Sequence, residues 1–278
     1  MVYFKGILFL SLIFSHIQSY ANEAESACQT LISNNQCIEA LEVCRADAEQ
    51  GDPTAQTALG LMLSGITHGD FRKNYKQSFY WVQQAAEQGY SKAELAIAEM
   101  YMNGVVVPMN AKKAKVWYEK AAAQENLDGV NGLARQYRYG TGVRKDYEKA
   151  FQYYHQAAFE GHTRSQVGLG LSYRDAKGIK KNMVKAYAWL SIAAEKIDKQ
   201  KLKAIEEGYK DERENLDQTL PQCKHLSRLD QMGNIMAISY AKKMLLDLKQ
   251  RMSIKQINKA KKLAIEIKKE RAFTRSVL

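Results

Sequence analysis

Ser239 and Lys242 are the residues best suited, by type and spacing, to make a nucleophile. Ser239-Tyr-Ala-Lys242 matches S-x-x-K, in which a lysine amine near a serine hydroxyl supports acyl transfer. Such a pair would suit a β-lactam-binding hydrolase, but the companion motifs S-D-N and K-T-G do not occur. With 15 Ser and 29 Lys in 278 residues, one or two S-x-x-K matches arise by chance. The five histidines, His16, His68, His155, His162 and His225, form no H-x-x-x-H pair for a metal. No G-x-S-x-G elbow, phosphate loop or dinucleotide fingerprint is present, and Gly140-Thr141-Gly142 belongs to a recurring loop that needs no phosphate. The sequence therefore assigns no catalytic residue, no metal ligand and no cofactor.

Four cysteines, Cys28, Cys37, Cys44 and Cys223, offer the other chemistry. Zinc wants close ligand pairs such as C-x-x-C, and none occurs. Their use depends on compartment. Residues 1–21, MVYFKGILFLSLIFSHIQSYA, have the form of a secretory signal: Lys5, an apolar run from Gly6 to Ile17, then the small residues Ser19 and Ala21 before the cut. The expectation is cleavage between Ala21 and Asn22 and a periplasmic or secreted chain with disulfides. A single membrane anchor is the rival reading, but the run is short for a span and ends in a cleavage site. Asn22, not a cysteine, follows the cut, so no lipid anchor is indicated. Cys37 and Cys44 fall on one predicted helix with about 10 Å of rise between them, too far to bridge. A hairpin of helices 24–33 and 36–50, turning at Asn34-Asn35, puts Cys28 and Cys44 at similar heights. Cys28–Cys44 is the leading pair and Cys28–Cys37 the alternative.

These groups are carried by a chain of helix formers. Apolar residues make up 46%, charged residues 26%, and only 3 Pro occur, with a mean hydropathy of −0.45. That suffices for a packed core, and strand formers never alternate, so sandwiches and barrels are excluded. No apolar run after the signal reaches membrane-spanning length.

A period organises the rest. Trp81, Trp117, Tyr153 and Trp189 are each 36 residues apart, and each is followed by an Ala-Ala pair, as in Ala85-Ala86 and Ala121-Ala122. Lys113-Ala114, Lys149-Ala150 and Lys185-Ala186 keep the same step, as do Tyr101, Tyr137 and Tyr173. Each unit reads as two helices, a first near 53–64, 92–103, 128–139 and 164–175 and a second near 75–88, 111–124, 147–160 and 183–196. Asp52 caps the first of these with Pro53 at its opening position. Gly60, Ala98, Ala134 and Gly170 keep one column small, which lets helix axes approach, and Leu59, Ile97, Leu133 and Leu169 supply core.

The blocks A-x-x-x-L-G-x-M (55–62), WYEKAAAQ (117–124), YGTGVRKDYEKA (139–150) and AAEQG (85–89) resemble the Sel-one-like repeat (SLR) family, α/α repeats related to tetratricopeptide repeats. The resemblance covers about 37–196. The longer loop 65–74, Glu125-Asn126 in place of a glycine turn, and Ala176 in place of a loop glycine depart from it. It implies an all-α superhelical solenoid of four to five hairpins, whose concave face binds proteins or peptides without chemistry of its own. The division expected is a signal at 1–21, a capping hairpin at 22–50, repeats at 51–196 and a basic helical region at 197–278. That last region holds 19 Lys+Arg against 11 Asp+Glu, whereas 22–196 holds 21 against 19. Its closing helix opens with Ser253 and Gln256 as a capping box, with an apolar stripe from Ile254 to Ile267 and a face of Lys255, Lys259, Lys262 and Lys269.

Across repeats, some positions of the first helices stay small or apolar while others vary. The varying columns include Glu94, Val130 and Gln166; Glu99, Arg135 and Leu171; and Met102, Arg138 and Arg174. Freed from packing, such positions can line a groove. Glu99, Arg135, Arg138, Tyr139 and Arg174 are the expected partner-binding residues, an Arg-rich surface suited to carboxylates beside a planar or apolar anchor. The function expected is an exported scaffold that binds a protein or peptide partner. A periplasmic immunity protein neutralising a toxin, a role some relatives have, and a β-lactam-binding hydrolase are the alternatives. No nucleic-acid partner is expected, since no reader motif accompanies the charge. The terminal lysine face suits a weak anionic-surface contact.

Overall fold

The computed structural model describes residues 27–34, 36–65, 74–195 and 224–277. Residues 1–26, with the expected cleavage point, and residues 35, 66–73, 196–223, with Cys223, and 278 lie outside them. Among the described residues there are twelve helices and no strand: α1 Ala27–Ser33, α2 Cys37–Glu49, α3 Pro53–Leu63, α4 Tyr75–Glu87, α5 Ser91–Asn103, α6 Ala111–Ala123, α7 Leu127–Tyr139, α8 Tyr147–Phe159, α9 Thr163–Asp175, α10 Met183–Ala194, α11 Lys224–Arg251 and α12 Ile254–Val277. Sequential helices pack as hairpins, and hairpins stack in order along a solenoid.

Local chemistry sets the helix starts. Asp52 accepts from the Thr54 and Ala55 N–H groups, with Pro53 beside it. Each second helix is capped by an Asn or Asp from one column: Asn74, Asn110, Asp146 and Asn182 accept from Gln77, Lys113, Lys149 and Lys185 N–H, respectively. The caps also close the loops behind them. Asn110, Asp146 and Asn182 N–H donate to the carbonyls of Tyr101, Tyr137 and Tyr173 at 2.8, 2.9 and 2.9 Å. The first helices end in a left-handed residue, glycine at Gly104 and Gly140, but Ala176 at φ 56° in the last repeat. Ala176 thus takes the strained conformation that the missing glycine would have adopted freely.

Close approach explains the small columns. A methyl at Gly60 would lie 2.5 Å from Val82 Cγ2 and 2.8 Å from the Ser78 carbonyl. Gly132 and Gly168 give their space to the rings of Tyr118 and Tyr154, both buried. Between hairpins, hydrogen bonds repeat at nearly one period: Gln88 Nε2 donates to Gln56 Oε1 at 2.8 Å, and Gln124 Nε2 to Glu94 Oε2 at 2.8 Å. Glu94, Val130 and Gln166 are accordingly buried, not lining a groove as their variability suggested. Their column lies in the seam between hairpins, where Gln166 Nε2 reaches the Ala158 carbonyl at 3.2 Å.

Both ends of the stack are finished differently. Cys28 and Cys44 form a disulfide that ties α1 to α2, so the Cys28–Cys37 alternative does not occur; Cys37 is itself disulfide-bonded. At the other end α12 packs on α10, burying Ala260, Ala264 and Ile267 in the core around Trp189 and Leu190. Its capping box is present: Ser253 N–H donates to Gln256 Oε1 at 2.9 Å, and Gln256 N–H to Ser253 Oγ at 3.3 Å. Ile254, expected in the buried stripe, stays exposed at the first residue of the helix. The 28 residues of α11 make a rod of about 42 Å. It packs on α9 and α10 and also reaches α1 and α3. A straight rod can touch both ends of a curved stack only by spanning its hollow side, so α11 crosses the inner face like a chord across an arc.

Candidate binding face

The inner face is built from the first helices of the hairpins, and among the described residues it carries an apolar and a basic opening. One is an apolar recess of ≈ 600 Å³ between α1, α3 and α5, lined by Leu61, Leu95, Ala96, Met100 and Val106. Glu99 is at its wall. The Glu99 carboxylate accepts a hydrogen bond from the Tyr118 hydroxyl at 2.7 Å, and burial together with that carboxylate pushes the Tyr118 hydroxyl far up.

The second opening is a chamber of ≈ 360 Å³ between α7, α9 and α11. Arg135, Arg138, Arg164 and Arg174 line it, with Tyr139, Tyr154 and Tyr240. Among the described residues no carboxylate lines it. The acids stand behind: Asp175 takes two hydrogen bonds from Arg174, at 2.6 and 3.0 Å, and lies 3.9 Å from Arg138. Those bonds hold the Asp175 carboxyl below its usual range. Asp128 is paired with Arg164 and with His162 Nε2 at 2.7 Å. Arg174 is further braced by α11, where Nη1 donates to Met244 Sδ at 2.7 Å. Burial raises the Tyr154 hydroxyl to about 12, so it stays a neutral donor at the chamber wall.

The chamber brings together four of the five expected residues, Arg135, Arg138, Tyr139 and Arg174, while Glu99 falls in the neighbouring recess. Arg138 is buried at 8% exposure, whereas Tyr139 stands out at 64%. Arg164 and Tyr240 were missed. Arg164 was legible as the residue one period after Asp128, with the opposite charge. Tyr240 had no such signal, because α11 lies outside the repeat and its path over the groove follows from packing.

The candidate nucleophile is not organised as a site. Ser239 is exposed on α11, and no hydrogen bond or ion pair joins it to Lys242 among the described residues. His155 has its ring between Phe151 and Phe159, where this partial cover and the Lys185 charge hold its pKa down. Among the described residues no cluster of His, Cys, Asp or Glu could hold a metal, and no helix is long and apolar enough to cross a membrane.

Comparison with known proteins agrees with this architecture. The Sel1 repeat model matches residues 53–90, 91–126, 128–162 and 163–198. Among solved structures, a protective antigen present in uropathogenic Escherichia coli strains and displaying an SLR fold is 26% identical with a TM-score of 0.54, over 83% of this chain and 48% of that one. A Sel1 repeat protein from Oxalobacter formigenes is 28% identical with a TM-score of 0.50, over 61% of this chain and 49% of that one. The chain thus spans about half the length of either relative. No curated protein matches it. Sel1 repeat proteins are generally protein-interaction scaffolds. With four matched repeats covering more than half of its length, this chain belongs to the Sel1 repeat family.

Proposed function

We propose that this protein is an exported scaffold that binds a protein or peptide partner on the inner face of its solenoid, with Glu99, Arg135, Arg138, Tyr139 and Arg174 in the contact. The observation that carries this reading is the pair of neighbouring openings on that face, one apolar and one basic. An apolar anchor beside oriented charges is the anatomy of a recognition surface. Export is supported by the Cys28–Cys44 disulfide, which persists in oxidising compartments, and by the signal form of residues 1–21. A protective antigen among the solved relatives agrees with exposure outside the cytoplasm. Lys255, Lys259, Lys262 and Lys269 are exposed on α12 and support a weak contact with an anionic surface.

The test is capture of periplasmic or extracellular proteins on the immobilised chain, compared with the inner-face variants Ala96→Arg and Arg135→Glu. A partner lost with either variant, at unchanged melting temperature, supports the reading. A partner held equally by both variants and lost only when α12 is removed places binding on the basic helix instead. The N-terminus of the exported form is expected at Asn22.

A further inference from the structure

The charges around the basic chamber do not balance. Arg135, Arg138, Arg164 and Arg174 face two carboxylates, Asp128 and Asp175, and both of these are already engaged by Arg164 and Arg174. Glu99, one repeat before Arg135, accepts a hydrogen bond from the Tyr118 hydroxyl and makes no ion pair with Arg135 among the described residues. Among the described residues, four guanidinium groups thus share two carboxylates.

Arg138 is the sharper anomaly. Its side chain is 9% exposed, and its one acidic partner among the described residues, Asp175, lies at 3.9 Å, beyond hydrogen-bond distance. It makes no hydrogen bond among the described residues, and its fork of donors lines the chamber. Arg164 Nε, by contrast, is fully buried without a hydrogen-bond partner. The Arg138 donors are not sealed off but open into the chamber, so an anion that entered could take paired, charge-assisted hydrogen bonds from them.

We propose that this chamber is a carboxylate-binding site for an acidic peptide segment of the partner, with Arg138 and Arg135 taking the carboxylates and Tyr139 and Tyr240 flanking the adjoining side chain. It rests on the scaffold reading above and adds the chemistry of the partner. Three features select this ligand. Planar guanidinium forks match the two oxygens of a carboxylate. Arg138, Tyr139 and Arg174 lie in the last turns of α7 and α9, where the helices present carbonyl ends, so the backbone N–H cradle that favours phosphate is lacking. Tyr139 and Tyr240 are exposed at 64% and 43% at the mouth, the place for a neighbouring apolar or planar side chain. Because Tyr240 comes from α11, the chord helix completes the site.

The experiment is calorimetric titration of the intact chain with a capped peptide of one tyrosine and four glutamates, its glutamine counterpart, and inorganic phosphate. Binding of the glutamate peptide is expected, weakening by about tenfold in Arg135→Gln and more in Arg138→Gln, with a smaller loss in Tyr240→Ala. Arg135 is exposed, so its variant keeps the test valid if the buried Arg138 variant fails to fold. Equal affinity for the glutamine peptide, tighter binding of phosphate, or wild-type affinity in a folded Arg135→Gln overturns the proposal. If the peptide does not bind while partner capture still depends on Ala96, only this inference fails. If capture ignores both openings, the scaffold reading fails with it.

Discussion

The ammonium of Lys149 lies 5.4 Å from the centroid of the Tyr137 ring, and the same pairing recurs at 5.4 Å for Lys113 over Tyr101 and 5.3 Å for Lys185 over Tyr173. The geometry follows from the loop. The Tyr carbonyl binds the cap N–H, the cap side chain binds the Lys N–H, and the lysine stem then lies over the ring. Each lysine is exposed, so the attraction is of the weaker, solvated kind. Lys149→Met keeps the stem and removes the charge, and is expected to cost about 0.5–1 kcal/mol. A double-mutant cycle with Tyr137→Leu checks it: additive losses would show that the ring and the ammonium do not interact.

This pairing shows how far the sequence could be read. The Lys and Tyr columns were visible as 36-residue steps, and the helices they predict start and end within a residue or two of those observed. The Cys28–Cys44 pair was legible because two short helices and one turn fix their relative height. The Asn74, Asn110, Asp146 and Asn182 column was equally periodic and was overlooked, although it sets every second-helix start. The burial of Glu94 and Gln166 was not legible, because variability is shared by solvent-facing positions and by seam positions that exchange one hydrogen bond for another. Nor was the path of α11, since a lone helix outside the repeat takes its place from long-range packing that no period encodes.

Stability should depend on pH through Asp128. Its carboxyl is buried, which alone would raise its pKa, but the hydrogen bond from His162 and the charge of Arg164 outweigh burial and bring it below 3.8. A depressed carboxyl contributes stability that is present above its unfolded value and lost as pH falls through its folded one. Asp128→Asn is therefore expected to melt lower than the native protein at neutral pH, with the gap closing only below about pH 4. Melting curves from pH 7 to pH 3 decide it, and a gap that stays constant throughout would refute the linkage.

The disulfide should act locally. Cys28 and Cys44 close a loop of sequence separation 16, for which cross-linking stabilises by about 3 kcal/mol. In a solenoid each hairpin interacts mainly with its neighbours, so the loss on Cys28→Ala with Cys44→Ala should concentrate at one end. Hydrogen exchange is expected to quicken in α1 and α2 while α8 to α10 keep their protection. Uniform loss along the chain would mean that the stack melts as one unit.

Gly168 tests the packing argument by the sign of its effect. In an exposed helix interior, alanine in place of glycine gains about 1 kcal/mol of helix propensity. Here the new methyl would lie 2.5 Å from Tyr154 Cε1 and 2.6 Å from Cδ1, closer than carbon atoms approach. Tyr154 is 4% exposed, so its ring has little room to retreat. Overpacking of this kind costs about 1–3 kcal/mol, and the backbone shift it forces would spread to the seam held by Gln166. Gly168→Ala is expected to lower the melting temperature despite its propensity gain. Tyr154→Leu removes the ring edge that collides, at the cost of a cavity. The double variant should therefore be more stable than the sum of the two single losses predicts. A Gly168→Ala protein more stable than the native chain would show that the ring yields and that the glycine column is not kept for close packing.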